Sequence, residues 1–360
     1  MFKNIDLLIK QNTSFAIYRL PYQQEPILII GNKHNTQIVY SIKELNNLKG
    51  FVIAPFKITE EKPIVCIQPE LIISGCKNIA VFFQDMEDKS TIENTSLIEQ
   101  SDSHYLAYKS AFDKFSQALS ADEFKKLVLS HPSDYQAHSK IPFYSILEKA
   151  MEAYPSSFIY LCHTAQTGTW VGSTPELLLK GMGADWQTVA LAGTQERKSS
   201  HSDYEWDSKN LLEQELVSGY IKQLLESYKL NYTQHSSLTA EIGELAHLKT
   251  AFSFQLKDSL QLFNLLESLH PTPAVCGLPK EKAYSFILNE EGYDRSYYSG
   301  FIGYLDLEQE TSLYVNIRCM NIDSARLRLY AGGGLLASSE LDSEWKETEA
   351  KLQIMLSLLN

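Results

Sequence analysis

Residues 298–331 have the sequence YSGFIGYLDLEQETSLYVNIRCMNIDSARLRLYA, and this stretch decides the fold class. Three runs within it, at 298–306, 312–322 and 325–331, are rich in aromatic, aliphatic and β-branched residues and are separated by short polar segments. Such runs predict consecutive strands joined by hairpins. Strands that follow one another directly favour an antiparallel sheet over a doubly wound parallel one.

The rest of the chain carries helix and strand patterns in mixed order. Apolar residues at helical spacing predict helices at 104–119, 142–154, 207–228, 254–268 and 343–359. Runs of β-prone residues predict strands at 126–130, 158–162 and 168–173, and shorter ones at 14–20, 26–31, 37–40, 50–55 and 63–68. Residues 84–103 are polar and are expected to form a loop or an internal boundary. Together these patterns predict an α+β fold.

The composition is that of a globular protein and excludes several functional classes. The 360 residues are 44% hydrophobic and 21% charged, so a sizeable core is possible in two domains or one large one. The net charge is −12, so the protein lacks the excess of basic residues that nucleic-acid binding requires. The same charge disfavours binding to an anionic membrane. The sequence has no signal-peptide pattern and no apolar run long enough to span a bilayer. We therefore expect neither a nucleic-acid nor a membrane partner.

The cysteines indicate a reducing compartment. There are five, none in a C-x-x-C pair, and an odd number does not form a complete disulfide framework. Cys162 and Cys319 lie in apolar runs, which predicts small core residues. We expect a cytoplasmic protein.

Glu213 interrupts an apolar pattern in the helix predicted at 207–228. The apolar stripe expected to face the core consists of Leu212, Leu216, Tyr220 and Leu224. Glu213 shares a row with Val217 and Leu224, whereas Glu215 lies on a polar row. A buried carboxylate needs an ionic partner or a metal. Alternatively, Glu213 reaches water at the end of the helix.

The last predicted helix repeats this pattern. Glu344, Glu347 and Lys351 share one stripe, which continues as Ile354 and Leu358. The stripe places two carboxylates and an ammonium at one end of a row of side chains that otherwise points into the core. The alternative is a surface Glu347–Lys351 ion pair, which contributes a few tenths of a kcal/mol.

Three glycines, Gly332 to Gly334, follow the strand predicted at 325–331. Their sequence, GGGLLA, matches G-x-G-x-x-A, but no later strand is present to complete a dinucleotide-binding βαβ unit. Glycines also let backbone N–H groups approach an anion closely. A tight turn between strand and helix is the alternative.

Two basic residues lie in predicted strands. Alternation along Leu313–Met320 places Arg318 on the face opposite the most apolar side chains, where it is either solvated or able to grip a carboxylate. Lys126 begins the strand at 126–130, a position that is usually exposed. The nine histidines lack metal-ligand spacing, so any metal is expected to be a hard cation on carboxylates, Mg²⁺ above all.

Nine motifs in order resemble the chorismate-utilising enzyme family, the group that includes anthranilate synthase component I. They run from Ala121 to Leu352 and are KLVLS (126–130), GSTPELLL (172–179), LAGTQER (191–197), AHLKT (246–250), HPTPAVCG (270–277), YYSGFIGYLD (297–306), VNIRCM (315–320), YAGGGLL (330–336) and EWKETEAKL (344–352). The resemblance implies two large antiparallel β-sheets packed together with surrounding helices and an active site in the cleft between them. It implies one chorismate-binding domain over 1–360, with variable strands at 1–103 built into the sheets and a catalytic core at 104–360.

The resemblance also implies roles for individual residues. Lys126 corresponds to the general base that activates water, and Glu176 to the general acid. Glu213 and Glu347 correspond to ligands of a Mg²⁺ cofactor, with Glu344 acting through water. The implied contacts to the substrate chorismate are Gly193, Thr194, His247, Ala274, Tyr298, Arg318, Gly332 and Lys351; of these, Tyr298, Arg318 and Gly332 correspond to the clamp on the enolpyruvyl carboxylate.

Four positions indicate the branch of the family. Ala192 stands where the aminodeoxychorismate branch has a nucleophilic lysine, and Lys126 favours water over ammonia as the nucleophile. Ala274 and Val275 resemble the branch that retains pyruvate. The implied reaction is an isomerisation of chorismate to isochorismate by water addition at C2 and loss of the C4 hydroxyl, serving menaquinone or siderophore biosynthesis. A salicylate-forming enzyme and a non-catalytic chorismate-binding subunit are the alternatives.

The resemblance has further implications for assembly and for the metal site. No glutaminase subunit is expected because water is the nucleophile, and a monomer is expected. Asn210 stands where the family has an acidic residue, three positions before Glu213. This difference bears on support for the metal ligands.

Overall fold

In a computed structural model of the chain, residues 4–31, 36–84, 97–99, 103–138, 141–199 and 204–359 are described. Most of the loop or boundary predicted at 84–103 lies outside these ranges.

The described residues form helices and strands throughout the chain. The helices are α1 (Ile5–Lys10), α2 (Cys76–Gln84), α3 (Ser103–Ser120), α4 (Phe143–Ala153), α5 (Ser208–Ser227), α6 (Ser259–Leu269), α7 (Lys280–Glu290) and α8 (Leu341–Leu356), with a 3₁₀ helix at Ile42–Asn47. The strands are β1 (Phe15–Arg19), β2 (Ile27–Ile30), β3 (Thr36–Val39), β4 (Gly50–Ala54), β5 (Ile64–Ile67), β6 (Leu71–Ser74), β7 (Leu97–Glu99), β8 (Lys126–Ala137), β9 (Phe158–Thr164), β10 (Gly168–Thr174), β11 (Leu177–Met182), β12 (Asp185–Glu196), β13 (Tyr232–Gln234), β14 (Leu238–Ile242), β15 (Leu245–Gln255), β16 (Gly277–Leu278), β17 (Phe301–Leu305), β18 (Thr311–Val315), β19 (Cys319–Asp323) and β20 (Arg326–Leu335).

The strands form two large antiparallel sheets, which confirms the predicted α+β class. The first sheet has the order β16-β8-β20-β19-β10-β9-β1-β2-β6, with β7 beside β8. The second has the order β13-β15-β12-β11-β18-β17-β4-β5-β3, with β14 beside β15. The early strands are shared, since β1, β2 and β6 belong to the first sheet and β3, β4 and β5 to the second.

An aromatic core joins the two sheets. Phe158 of β9 stacks on Tyr314 of β18 with ring centroids 4.4 Å apart, and Tyr18 of β1 meets Phe51 of β4 at 5.5 Å. Each pair has one member in each sheet. The outer faces are covered by helices: α4 and α8 pack on the first sheet, and α5 and α6 on the second. Stacked and tilted rings of this kind contribute beyond the area they bury.

The single strand predicted at 312–322 is wrong. The chain leaves the second sheet after Val315 and enters the first at Cys319, with Arg318 in the left-handed region at φ 49°. Asn316 stabilises this crossing, because its side chain accepts a bond from the Tyr160 hydroxyl at 2.5 Å and donates to the Tyr297 carbonyl at 2.9 Å. Apolar alternation continues on both sides of the crossing, so the pattern concealed the break.

The strand predicted to stop at residue 331 continues as β20 to Leu335. Its three glycines pair with β8, Gly332 opposite Ser130 and Gly334 opposite Val128. The alternative interpretation of the glycines, a tight turn between strand and helix, is therefore wrong.

Two helix starts are set by aspartate caps. The side chain of Asp207 accepts a bond from the Asn210 amide at 2.7 Å, and that of Asp258 accepts from Gln261 at 2.8 Å. The helix predicted from residue 254 thus begins at 259, and the preceding residues extend β15. In α5 the predicted core stripe was wrong at Leu212, which is exposed, since the buried row runs through Glu213, Val217 and Ile221.

Candidate active site

A small cavity of about 70 Å³ lies between the two sheets and gathers most of the predicted site residues. Ten of them line it: Glu176, Gly193, Thr194, Glu213, His247, Ala274, Tyr298, Arg318, Gly332 and Lys351. Further walls come from Val128, Leu191, Ala192, Val275, Ile317, Tyr330, Ala331 and Gly334. Lys126, Glu344 and Glu347 adjoin the cavity through ion pairs and glycine contacts described below.

Lys126 is buried in the sheet and has an incomplete set of partners. It is the first residue of β8 and is 0% exposed, which rules out the surface position that its place at a strand start suggested. Its Nζ lies 3.0 Å from Oε1 of Glu213 but makes no hydrogen bond. A fully enclosed ammonium with a single carboxylate as its charged partner is costly to bury, which indicates a functional demand for it.

Glu176 is held as a carboxyl group that binds its proton tightly. It follows Pro175 in the short link between β10 and β11 and is 3% exposed. The Thr272 hydroxyl donates to its Oε1 at 3.2 Å. Burial raises the pKa of Glu176 to about 7, against the opposing effect of nearby Lys126. A carboxyl group with this pKa can deliver a proton near neutral pH.

The glycines of β20 make room for three carboxylates. A Cβ atom on Gly334 would lie 2.0 Å from Oε1 of Glu213. A Cβ atom on Gly333 would lie 3.3 Å from Oε2 of Glu344 and 3.7 Å from Oε1 of Glu347. The acidic side chains of α5 and α8 therefore meet over this segment of strand, and a larger residue would displace them.

Each of these carboxylates is paired with a lysine. The pairs are Lys126–Glu213 at 3.0 Å, Lys351–Glu347 at 2.7 Å and Lys209–Glu344. Burial raises the pKa of Glu344, and Lys209 only partly opposes this. Burial also acts against ionisation of Glu347, but the ammonium groups of Lys351 and Lys209 prevail and lower its pKa. The surface ion pair considered for Glu347 is thus part of a larger, mostly buried charge network.

The carboxylates suit a hard cation in their chemistry. Carboxylate oxygens are the ligands that Mg²⁺ prefers, and Oε2 of Glu344 is buried without a hydrogen-bond partner. In the described part of the chain, no three carboxylate, histidine or cysteine groups are close enough together to hold a metal ion in this arrangement. A cation that bound here would compete with the lysines for the carboxylate oxygens.

Arg318 presents a guanidinium group that is only partly engaged. Nδ1 of His247 donates to the Gly193 carbonyl at 2.9 Å, because a carbonyl can only accept. This tautomer leaves Nε2 to accept a bond from Nη2 of Arg318. Nη1 of Arg318 is buried without a partner. Burial lowers the pKa of Arg318 to about 10, so it remains a cation near neutral pH and can bind an anion.

His247 is neutral in this arrangement. Burial, followed by the charge of Arg318, lowers its pKa well below the usual value. Its imidazole therefore serves as an acceptor that orients the guanidinium.

Asn210 supports the bend at Gly193 and Thr194. Its Oδ1 accepts a bond from the Thr194 amide at 2.9 Å, while its Nδ2 donates to Asp207 at 3.0 Å. Gly193 has φ 72°, and a Cβ atom there would lie 3.2 Å from Oδ1 of Asn210. An aspartate at position 210 could accept the bond from Thr194 but could not donate to Asp207, so the amide fills both roles.

Tyr298 and Lys351 both lie next to Gly332. The Tyr298 ring stacks on Tyr330 at 5.1 Å with an interplanar angle of 9°. A Cβ atom on Gly332 would lie 2.9 Å from the Tyr298 hydroxyl, and Nζ of Lys351 donates to the Gly332 carbonyl at 2.9 Å. Burial raises the pKa of Tyr298, so its hydroxyl remains a donor.

Two contact residues were missed from the sequence. Thr272, which bonds Glu176, lies in the HPTPAVCG motif but has no spacing signal of its own. Lys209 stands four residues before Glu213, a helical spacing that could have indicated it. Its actual partner, Glu344, lies on another helix and could not be inferred from spacing.

Comparison with known proteins gives a consistent set of relatives. A family model described as chorismate binding enzyme matches residues 46–360. The isochorismate synthase MenF of Bacillus subtilis is 29% identical over 303 residues, covering 81% of this chain and 63% of the relative. The isochorismate synthase EntC of Escherichia coli K12 is 29% identical over 286 residues, covering 77% and 71%. The chain therefore matches less than two thirds of the Bacillus protein's length.

Solved structures share the fold over nearly the whole chain. The 2,3-dihydroxybenzoate-specific isochorismate synthase DhbC of Bacillus anthracis superposes with a TM-score of 0.81 at 24% identity, covering 98% of both chains. Anthranilate synthase component I of Streptococcus pneumoniae gives a TM-score of 0.72 at 15% identity, covering 97% and 91%. These likenesses confirm the predicted two-sheet architecture.

Proposed function

The chain belongs to the chorismate-binding enzyme family, and from this membership we propose that it isomerises chorismate to isochorismate with the help of Mg²⁺. Two curated relatives at 29% identity carry the name isochorismate synthase. The observation that carries the proposal is a protonatable carboxyl on Glu176 in the cavity wall and a buried amine on Lys126 directly behind the cavity residues Glu213 and Gly334. Water addition at one carbon and hydroxyl loss at another require one base and one acid.

Lys126 is proposed as the base. In its neutral form, Nζ takes a proton from a water molecule while the water oxygen forms a bond to C2 of the ring. The resulting ammonium is stabilised by Glu213, whose Oε1 lies 3.0 Å away. The lack of a hydrogen bond to Nζ leaves it available to that water.

Glu176 is proposed as the acid. As the C2–O bond forms, the C1–C2 double bond moves to C1–C6, the C5–C6 double bond moves to C4–C5, and the C4–O bond breaks. Glu176 transfers its proton to the departing oxygen, which leaves as water. One water is added and one is lost, so the product is an isomer of the substrate. A pKa of about 7 keeps a large fraction of Glu176 protonated at neutral pH.

Substrate carboxylates are assigned to two groups of residues. Nη1 of Arg318 and the Tyr298 hydroxyl would bind the enolpyruvyl carboxylate, since both are donors at the cavity. Glu213 and Glu347, with Glu344 nearby, would hold Mg²⁺, which when bound neutralises the ring carboxylate and orients the ring. Gly193, Thr194, His247, Gly332 and Lys351 would complete the substrate contacts.

The wall formed by Ala192, Ala274 and Val275 supports retention of the pyruvate group. None of the three side chains can act as an acid, a base or a nucleophile.

No glutaminase subunit is proposed, because water replaces ammonia. No described helix is long and apolar enough to cross a membrane. All five cysteines are free thiols, which supports a reducing, cytoplasmic setting.

The test is incubation of the purified protein with chorismate and Mg²⁺, with products separated by chromatography. We expect an isochorismate peak that disappears when EDTA is added. Salicylate and pyruvate as the main products would instead identify the lyase branch. Unchanged chorismate in a folded protein that binds it would identify a non-catalytic binding subunit.

A further inference from the structure

A fully buried ion pair lies behind the wall of the cavity. Arg295, in the segment between α7 and β17, is 2% exposed. Its Nε and Nη2 each donate to a carboxylate oxygen of Glu291 at 2.6 Å. The guanidinium also contacts the face of the Phe56 ring, with Cζ 4.5 Å from the centroid. Neither charged residue lines the cavity, so the pair has no direct role in substrate contact.

The remaining donors of Arg295 join two other segments of chain. Nη1 donates to the carbonyl of Val275 at 2.7 Å, and Nη2 donates to the carbonyl of Val128 at 2.8 Å. Both valines line the cavity. The planar guanidinium therefore fixes these two stretches of wall relative to each other, as a flexible point charge could not.

Glu291 extends the network into β8. Its Oε1 accepts bonds from the amide and the hydroxyl of Ser130, both at 2.8 Å. The Ser130 hydroxyl also lies 2.6 Å from the Tyr293 hydroxyl. The carboxylate thus has partners on both sides, which is the condition under which a desolvated ion pair is tolerated.

The two valines lead to the two proposed proton-transfer groups. Val128 is two residues from Lys126 on β8. Val275 is three residues from Thr272, whose hydroxyl donates to Glu176 at 3.2 Å. One side chain, Arg295, therefore links the strand that carries the proposed base to the loop that holds the proposed acid.

We propose that Arg295 is a positioning residue that fixes the separation between Lys126 and Glu176. This inference rests on the proposed function, because it requires both groups to act in one reaction. Proton transfer depends steeply on geometry, and a displacement of about 1 Å can reduce the rate about 100-fold. Removing the hydrogen bonds of Arg295 should therefore lower kcat more than it weakens chorismate binding.

Two variants test the inference. Arg295→Lys retains the charge but cannot bridge two carbonyls and a carboxylate. The double variant Arg295→Met with Glu291→Leu removes the ion pair without leaving a buried charge, an exchange that folded proteins often tolerate. The control is Arg328→Met with Asp134→Leu, which removes another bidentate pair, with bonds of 2.8 Å, and the 3.0 Å bond from Arg326 to Asp134, at the far end of β8.

Folding is checked by circular dichroism and thermal unfolding, kcat and KM by isochorismate formation, and the Kd of chorismate by calorimetry in EDTA. We expect kcat to fall about 10- to 100-fold in both Arg295 variants, with KM and Kd within about threefold. The control should keep kcat within about twofold. The pH optimum should shift in the Arg295 variants, since the two proton-transfer groups no longer face the substrate as before.

A folded double variant with wild-type kcat would overturn the positioning role, as would a loss that lies entirely in Kd. If neither Arg295 variant folds, Arg295 serves stability alone, and the inference is again overturned. Absence of turnover in the wild-type protein would overturn the proposed function itself, and the positioning role with it. The wild-type measurement thus separates the two failures.

Discussion

Nζ of Lys126 lies 3.0 Å from Oε1 of Glu213, and both side chains are buried beside Gly334. The proposed base therefore has one of the proposed metal ligands as its counter-ion. A change at Lys126, at Glu213 or at Gly334 of β20 should therefore affect both proton transfer and metal binding, and these effects can be measured.

Replacing Lys126 should remove catalysis and spare binding. We expect Lys126→Ala to lower kcat by about 10²- to 10⁴-fold, the usual contribution of a general base, while the Kd for chorismate changes by less than about tenfold. Steady-state kinetics and calorimetry measure the two quantities. Lys125→Ala, a neighbouring lysine in an exposed ion pair with Asp122, is the control and should leave both unchanged. A loss of binding as large as the loss of kcat would contradict the base role.

Glu176 should make both activity and stability depend on pH. Its pKa is raised from 4.5 to about 7, so the acid form needed for catalysis declines as the pH rises past 7. Since the folded state holds this proton more tightly than the unfolded state, the contribution to stability is full below about pH 4.5 and is lost as the pH rises through 7. The loss is on the order of 3 kcal/mol.

Glu176→Gln checks this sign. The variant should lose activity, yet its melting temperature relative to wild type should be higher at pH 8 than at pH 5. Thermal unfolding of the variant and the wild type at the two pH values measures this difference in melting temperature. An equal effect of the substitution at both would show that Glu176 has an ordinary pKa.

Gly334→Ala should disable the carboxylate cluster. Its Cβ atom would lie 2.0 Å from Oε1 of Glu213, so Glu213 must move. We expect loss of the Mg²⁺-dependent rise in melting temperature and at least a 100-fold loss of activity. Gly219→Ala is the control, because a Cβ atom there meets nothing within 4 Å and helix propensity favours alanine. Normal metal binding by Gly334→Ala would show that Glu213 is not a ligand.

Lys209 should compete with the metal. It is paired with Glu344, so Lys209→Met should free this carboxylate and tighten Mg²⁺ binding several-fold in calorimetry. The same change should lower the melting temperature in EDTA, where Glu344 is left buried without its cation. Weaker Mg²⁺ binding would instead mean that Lys209 supports the metal site.

The sequence predicted the fold class and most of the strands because β-prone runs and turn residues are local signals. It failed at Arg318, since the same alternation of side chains continues where the chain passes from one sheet to the other. It also could not show that Lys126 is enclosed, because burial at a strand's first residue depends on what distant segments pack over it. The site residues themselves came from the family resemblance. Their pairing with lysines, above all Lys209 with Glu344, depends on the contact of two helices far apart in sequence.

The position of β20 between β8 and β19 has a consequence for how the protein is made. β8 ends at residue 137, and its long central partner begins at residue 326, so the ribosome adds roughly 190 residues before the first sheet can close. At about 5–20 residues per second, the edge of β8 waits on the order of 10–40 s for that partner. An unpaired apolar strand edge can pair with another chain and so promotes aggregation. Recovery of active protein should therefore be sensitive to chaperone supply and to the speed of translation.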